Sequence, residues 1–389
     1  MKEALLAILL FFCLSSFSQS YKKLHQKAIV VDAHNDFPSS SIEKKVLFDS
    51  NLQGKTHTDL SRLIRGGVDV QIFSIWCDGS EPNSFSWANR QIDSVHTWIK
   101  RNPEKMKLVS SPAELNKAIK EKKLAAMIGV EGGHMIENNL ENLDKLHKRG
   151  VSYLTITHNE SPNWASSAKD EIMQPDSLLQ LGLNDFGIKV INKMNELGML
   201  IDVSHAGEKT FWDIIKYSRK PVIASHSSAW DLTPHRRNLK NEQIKAIAKN
   251  GGIIHVNFYA GFLDSTYEVH IQTFIKKHQD EISALTAKNI QKDYAITMVS
   301  EKYPGEIRAF QPHITALIDH IDFIVKQAGI DHVGLGSDFD GIEASVVELN
   351  GVEDFPLVTK GLVERGYSKK DIKKILGGNF IRVFKANKN

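Results

Sequence analysis

The sequence predicts a (β/α)8 barrel with a helical insertion before the eighth strand. Eight apolar runs of strand length alternate along the chain with segments of helical periodicity, and no low-complexity linker interrupts them. The runs are apolar almost throughout, as parallel strands are when helices cover both faces of their sheet. A chain of 389 residues is long enough for roughly two or three domains, but a single elaborated barrel also reaches this size.

Residues 1–18 predict an export signal. Lys2 precedes an apolar run, and Ser16 and Ser18 follow that run with the spacing that signal peptidase prefers. The run is too short to span a bilayer of about 30 Å, and no later stretch approaches about 18 apolar residues. We therefore expect an exported protein, periplasmic or secreted and without a transmembrane segment, whose residues 19–389 form one domain.

The predicted strands and helices follow one another in a regular order. Segments such as LENLDKLHKRG and FGIKVINKMNELG carry apolar residues at helical spacing and end near a glycine. The eight predicted strands are AIVVDAHND from Ala28, VDVQIFSIW from Val68, LAAMIGVEGG from Leu124, VSYLTITHN from Val151, MLIDVSH from Met199, PVIASHSS from Pro221, GGIIHVNFY from Gly251 and HVGLGSDFDG from His332.

One connection breaks this order. Between Tyr259 and Gln311 the chain is long, charged and helix-prone, so we expect a helical insert at about residues 262–310. Its alternating charges favour a solvent-exposed helical excursion over a substrate lid. Its position after the seventh strand would nevertheless place it at the rim where a barrel carries its chemistry.

Charge and cysteine content exclude some classes of function. The chain has 49 Lys and Arg against 46 Asp and Glu, so it lacks the basic field that holds nucleic acid. Of its two cysteines, Cys13 leaves with the signal peptide. No disulfide can then form within the mature chain, and Cys77 is expected to fill a core position rather than to act as a nucleophile.

Ionisable residues recur at the carboxyl-terminal ends of the predicted strands. A barrel gathers those ends into one mouth, which is where this fold places its active site. Scattered core histidines would not repeat this position strand after strand. The residues are His34 and Asp36 on the first run, Glu131 on the third, His158 on the fourth, His205 on the fifth, His226 on the sixth and Asp338 on the eighth.

Five of these residues form a candidate metal site. His34 and Asp36 lie two apart on a strand, so both side chains point to one face and can bind one ion, although such a pair means little alone. Three imidazoles and two carboxylates suit Zn²⁺ and are too many for one open catalytic site. We expect two zinc ions, one on His34 and Asp36 and one on His205 and His226. Glu131 would bridge them, leaving room for a bridging hydroxide.

The sequence resembles the membrane (renal) dipeptidases, which are zinc peptidases of the amidohydrolase superfamily. The resemblance extends from about Ala28 to Phe384 and rests on VDAHND, GVEGGH, LTITHNESPNWA, IDVSH, SHSSAW, RRN, VNFY and GLGSDFDG in the family's order. It implies a (β/α)8 barrel with two zinc ions, hydrolysis of dipeptides that have a free C-terminal carboxylate, and a homodimer. It leaves open which dipeptides are preferred and whether a D-residue is accepted at the C-terminal position.

The resemblance also implies roles for three further residues. His158, in THNESPNW, is similar to the family's histidine that faces the scissile carbonyl and stabilises the oxyanion. Arg237, the second Arg of HRRN, is similar to the clamp for the substrate carboxylate, and Arg236 is expected at the surface. Asp338, the first Asp of SDFDG, is similar to the residue that handles the proton of the bridging water and also contacts the substrate's amino group.

The sequence departs from the family's animal members, and two alternatives stay open. It ends in FKANKN without an apolar tail and lacks paired cysteines, so neither a glycolipid anchor nor those members' disulfides are expected. One alternative is another amidohydrolase-type hydrolase, such as a lactonase or phosphotriesterase. Those relatives usually begin with His-x-His and bridge with a modified lysine, whereas this chain has Asp36 and Glu131. The other is a non-catalytic metal-binding barrel protein, expected to lack a ligand or Asp338.

Overall fold

Eight parallel strands form a nearly closed barrel in the computed structural model, which describes residues 21–288, 290 and 292–388. The strands are β1 (Val31–Asn35), β2 (Val70–Trp76), β4 (Leu124–Glu131), β5 (Val151–Thr155), β6 (Leu200–Asp202), β7 (Ile223–Ala224), β8 (Ile253–Asn257) and β9 (Val333–Gly336), with β3 (Met106–Leu108) outside the ring. Neighbours pair in that order, and the bridge between Asn35 and Phe339 joins β9 to β1. The predicted (β/α)8 barrel is confirmed, and each predicted run contains one barrel strand.

Helices surround this ring. They span residues 21–26, Phe37–Glu43, Leu60–Arg65, Ser84–Arg101, Pro112–Lys120, Leu140–Lys148, Ala168–Met173, Asp185–Leu197, Glu208–Tyr217, Asn241–Lys249, Ala260–Leu263, Ser265–Lys277, Gln279–Thr286, Lys292–Lys302, Pro304–Arg308, Ile314–Ala328, Phe355–Glu364, Lys369–Lys373 and Asn379–Lys388. Shorter 3₁₀ turns lie at Gly133–Ile136, Pro175–Ser177, Ile330–His332 and Val352–Asp354, and a π-helical turn at Lys374–Gly378. Apolar side chains of the strands and the surrounding helices form one large buried cluster.

The predicted insert is helical and packs around apolar residues of its own. Tyr267, Phe274, Ile282 and Val299 lie in a separate buried cluster between its helices. The expectation of a solvent-exposed excursion is wrong, because the insert also lines the cavity at the barrel mouth. Most of its charged residues are exposed, while apolar residues on the inner faces of the same helices pack together.

The predicted signal peptide, residues 1–18, lies outside the described residues. Among the residues that the structure does describe, no helix combines the length and apolar character needed to cross a membrane.

Candidate metal centre

The five predicted metal ligands meet at the barrel mouth, with the Glu131 carboxylate between two groups. On one side, His34 Nε2 lies 3.5 Å from Glu131 Oε2 and 3.4 Å from Asp36 Oδ2. On the other side, Glu131 Oε1 lies 3.0 Å from His205 Nε2 and 3.2 Å from His226 Nε2. One oxygen of the Glu131 carboxylate therefore faces His34, and the other faces His205 and His226.

The donor set fits a pair of divalent cations. Buried polar atoms without partners are costly, yet His34 Nε2 and Asp36 Oδ1 are buried and make no hydrogen bond with any described residue. His205 Nε2 and His226 Nε2 lie only 3.1 Å apart beside the same carboxylate oxygen. Imidazole nitrogens and carboxylate oxygens together suit Zn²⁺, so cations in this cluster would satisfy atoms that the protein alone does not.

Burial and neighbouring charges set the protonation of the cluster. Burial, followed by positive charge nearby, holds the pKa of His205 and of His226 well below the ordinary value, so both imidazoles are neutral as metal ligands must be. Burial also lowers the pKa of His34, but Tyr153 and the Glu131 and Asp36 carboxylates outweigh it and hold that pKa well above the ordinary value.

Hydrogen bonds behind the ligands orient their rings. The Ser225 hydroxyl donates to Asp202 Oδ2 at 2.6 Å, so it accepts from His226 Nδ1, which lies 2.7 Å away. That choice of tautomer leaves His226 Nε2 with the lone pair that a metal ligand needs. The His34 ring is oriented in the same way, by a hydrogen bond of 2.8 Å between its Nδ1 and the Tyr153 hydroxyl.

The sequence analysis missed these orienting residues. Tyr153, Asp202 and Ser225 are fully buried polar residues within the barrel strands or directly after them. The signal that could have identified them is their polarity inside otherwise apolar runs such as VSYLT and MLIDV. A buried polar side chain needs a partner, and here the partners are the ligands or one another.

Two site residues adopt backbone conformations that are rare for residues with a side chain. His205 has φ of 63° and Asp338 has φ of 60°, both in the left-handed region. Each lies just beyond the end of a barrel strand, where such a turn redirects the side chain into the mouth. Strain of this kind is maintained only where the surrounding structure enforces it, and it concentrates at functional sites.

His158 and Asp338 flank the ligand cluster. The His158 ring lies 4.4 Å from the His205 ring, and its Nδ1 is 3.7 Å from Glu160 Oε2. Asp338 Oδ1 is 3.9 Å from His34 Nε2, and Asn257 donates to Asp338 Oδ2 at 2.8 Å. Both side chains line the same cavity as the predicted ligands. The structure therefore brings these two predicted site residues to the cluster.

Arg237 is a buried cation at the edge of this cavity. Its Nη2 donates to the His226 carbonyl at 3.2 Å, its Nε is buried without a hydrogen-bond partner, and no carboxylate among the described residues lies within ion-pair distance. Burial lowers the pKa of Arg237 to about 10, which leaves it charged at neutral pH. Arg236 is exposed, as expected. The buried guanidinium is thus available to an anionic group in the cavity.

The cavity has a volume of about 290 Å³ and contains all eight predicted site residues except His34, which lies beneath it. The inserted helices add Glu268, Ile271, Gln272, Ile275, Tyr294, Ile296 and Thr297 to its wall. A volume at the small end of the range for ligand pockets suits a small polar molecule. The arrangement combines candidate metal ligands, an acid, an imidazole and one buried cation.

Three further buried residues, Asp32, His255 and Cys77, lie outside the ligand cluster. Asp32 accepts from the backbone and hydroxyl of Ser337 at 2.7 Å and thereby ties β1 to β9. His255 bonds the Ala224 carbonyl at 2.8 Å. Cys77 is buried, and burial raises the pKa of its thiol to about 12, which agrees with a core role and not with a nucleophile.

Comparisons with known proteins identify the family of this chain. Residues 18–389 match the model of the membrane dipeptidases, peptidase family M19. The chain is 32% identical over 386 residues to an uncharacterized dipeptidase of Schizosaccharomyces pombe, covering 94% of this chain and 82% of that protein.

Solved structures share the fold. The probable dipeptidase PvdM of Pseudomonas aeruginosa superposes with a TM-score of 0.77 at 24% identity, covering 96% of this chain and 98% of that one. A metallopeptidase of Rhodobacter sphaeroides, liganded with a phosphinate mimic of the dipeptide L-Ala-D-Ala, gives 0.73 at 20% identity, covering 93% and 100%. The family resemblance seen in the sequence is confirmed, and the chain belongs to the membrane dipeptidases, the metallo-dipeptidases of peptidase family M19.

Proposed function

We propose that this dipeptidase is a dinuclear zinc enzyme acting on dipeptides with a free C-terminal carboxylate, including those with a D-residue at the C-terminal position. The observation that carries the proposal is the position of the Glu131 carboxylate, whose Oε2 lies 3.5 Å from His34 Nε2 and whose Oε1 lies 3.0 Å from His205 Nε2 and 3.2 Å from His226 Nε2. His34 and Asp36 would hold one ion and His205 and His226 the other. When bound, such a pair supplies water activation at neutral pH and polarisation of the amide carbonyl.

The residues around the cluster have distinct tasks in this proposal. His158 donates a hydrogen bond to the carbonyl oxygen as negative charge develops there. Asp338 accepts the proton from the attacking water and delivers it to the leaving amine, and Asn257 holds its carboxylate in place. Arg237 binds the carboxylate of the substrate with its guanidinium. Because the clamp and the cluster share one small cavity, the distance between them would restrict substrates to two residues.

Arg237 favours a peptide substrate over those of other amidohydrolase-type enzymes. Lactones and phosphotriesters carry no anionic group, and either would leave a buried guanidinium without a partner. A dipeptide brings a carboxylate to that position.

We also propose that residues 19–389 act as one exported metallohydrolase domain carrying the insert at about 262–310, after removal of residues 1–18. We propose further that two chains form a homodimer.

A substrate panel tests the proposed activity. The zinc-loaded protein would be assayed with L-Ala-L-Ala, L-Ala-D-Ala, the C-terminal amide of L-Ala-L-Ala and its N-acetyl derivative. We expect turnover of both free dipeptides, with kcat/KM for the amide lower by about 30-fold or more because the buried guanidinium loses its partner. Equal turnover of the amide and the free dipeptide, or no turnover of any member of the panel, would contradict the proposal.

A further inference from the structure

Tyr294, from the inserted segment, forms part of the wall of the active-site cavity. Its side chain is buried and lines the cavity, and its ring centroid lies 6.3 Å from that of Trp76. This separation is typical of interacting aromatic pairs. The Trp76 ring in turn lies 5.2 Å from the ring of His158. The two aromatic residues form one surface beside the reacting centre.

The position of this aromatic surface is fixed relative to the metal ligands. The Tyr294 hydroxyl lies 2.9 Å from Ser39 Oγ, and Ser39 Oγ donates to the backbone carbonyl of Asp36 at 2.9 Å. A second link, the ion pair between Lys44 and Glu301 at 2.6 Å, joins the same inserted helix to the end of the helix Phe37–Glu43. The inserted helix therefore packs onto the turn that carries a predicted metal ligand.

The strand order places this surface opposite Arg237. Trp76 ends β2, and the Arg237 guanidinium bonds the carbonyl of His226, two residues after β7. In the ring order β1-β2-β4-β5-β6-β7-β8-β9, strands β2 and β7 are four positions apart in either direction. Arg237 and Trp76 thus lie on opposite sides of the mouth, with the ligand cluster between them. A substrate whose C-terminal carboxylate meets Arg237 extends its N-terminal residue toward Trp76 and Tyr294.

We propose that Tyr294 and Trp76 form the subsite for the side chain of the substrate's N-terminal residue, and that Tyr294 makes the enzyme prefer large apolar or aromatic side chains there. The inference rests on the proposed function, because binding of the carboxylate by Arg237 sets the direction of the substrate. It assigns a specificity role to a segment whose charge pattern pointed only to an exposed excursion.

Two dipeptide series on the metal-loaded full chain test this subsite. One series varies the N-terminal residue as Gly, Ala, Leu and Phe before a constant Ala, and the other varies the C-terminal residue after a constant Ala. We expect Tyr294→Ala to lower kcat/KM for Leu-Ala and Phe-Ala by about 10- to 100-fold relative to Gly-Ala, as loss of apolar contact in a pocket does. Tyr294→Phe keeps the ring and should keep most of the preference.

A control in the same insert separates specificity from general damage. Tyr303 stacks on His278 with ring centroids 4.2 Å apart and does not line the cavity. We therefore expect Tyr303→Ala to lower kcat/KM for all substrates by one common factor. Thermal unfolding and zinc content would be measured for every variant. If Tyr294→Ala does not fold, Tyr294→Leu carries the same test, because it keeps apolar volume and removes the aromatic face.

The possible results distinguish failure of the subsite from failure of the proposed function. Loss confined to large N-terminal side chains supports the subsite. An equal loss for every substrate, or a loss that follows the C-terminal residue instead, would overturn it while leaving dipeptide hydrolysis intact. Absence of dipeptide turnover by the unmodified protein would overturn the proposed function and the inference together.

Discussion

Asp338 lies where one side chain can reach both the ligand cluster and a substrate. Burial raises its pKa well above the usual range; the Asp36 and Glu131 carboxylates add to the rise, while His34 opposes it. A carboxylate that takes up a proton this readily can receive one from water and pass it to a leaving amine. Its left-handed backbone conformation and its bond from Asn257 fix the direction of that transfer.

Replacing Asp338 tests the proton-transfer role. Asp338→Asn keeps the size and the contact with Asn257 but cannot accept the proton, so we predict normal zinc content with kcat lowered about 100-fold or more. Steady-state kinetics and metal analysis of the same preparation provide the measurement. An unchanged kcat with a raised KM would make Asp338 a binding residue and place the proton transfer elsewhere.

Replacing Arg237 tests its proposed role in binding the substrate carboxylate. For Arg237→Ala we predict a loss of about 2–5 kcal/mol of transition-state stabilisation with free dipeptides, or roughly 30-fold to several-thousand-fold in kcat/KM. The C-terminal amide of the same dipeptide should lose far less. Arg237→Lys should restore activity only in part, because an ammonium cannot reproduce the planar fork. If Arg237→Ala keeps the preference for a free carboxylate, the clamp is Arg236 or another residue.

At the scale of elements, the turn after β9 approaches the ligand cluster closely. A Cβ added at Gly341 would lie 2.3 Å from Asp36 Oδ2 and 3.1 Å from Asp338 Oδ1. Both atoms belong to short side chains held within the cluster, so neither can move away without disturbing it. The glycine is therefore required by space rather than by an unusual backbone angle.

This close approach predicts the effect of one added methyl group. Gly341→Ala should displace Asp36 and weaken the binding of one zinc ion, with activity falling about 10-fold or more, as for loss of a ligand's orientation. Gly305→Ala, with no atom within 4 Å of the added Cβ, is the matched control and should change neither property. Zinc titration of both variants is the measurement. Equal zinc binding by the two variants would show that the turn tolerates the methyl group.

The elements also show what the sequence could and could not predict. Parallel strands buried on both faces leave a strong apolar signal, so all eight barrel strands, and the ionisable residues at their ends, were recognisable. The short strand Met106–Leu108 contains Lys107 and has no such signal. The position of Tyr294 depends on how five inserted helices pack, which charge pattern does not encode. Tyr153 and Asp202 were missed because their partners are distant in the chain.

At the scale of the whole molecule, the closed ring brings opposing charges to one buried point. The pKa of Glu131 is held well below its usual range: burial opposes ionisation, but the charge of His34 and a hydrogen bond from His205 outweigh it. With the raised pKa of His34, this gives a metal-free centre containing a buried ion pair. We therefore expect metal binding to compete with a proton on His34.

Zinc binding should therefore release protons. Because the pKa of His34 lies above its ordinary value, we predict release of about one proton per chain from this residue at neutral pH, declining as the pH rises through the pKa. Zinc affinity should increase with pH over the same range and then level off. Calorimetric titration in two buffers of different ionisation enthalpy measures this release directly. Binding heats that do not depend on the buffer would show that His34 is already neutral.

We propose that dipeptide hydrolysis requires two zinc ions shared by Glu131. The most direct test adds zinc stepwise to the metal-free protein, at protein concentrations well above the dissociation constant, and records hydrolysis of one free dipeptide at each step. We predict activity that rises more steeply than in proportion to the zinc added and stops rising at about two equivalents per chain. Activity that rises linearly and is complete at one equivalent would contradict it.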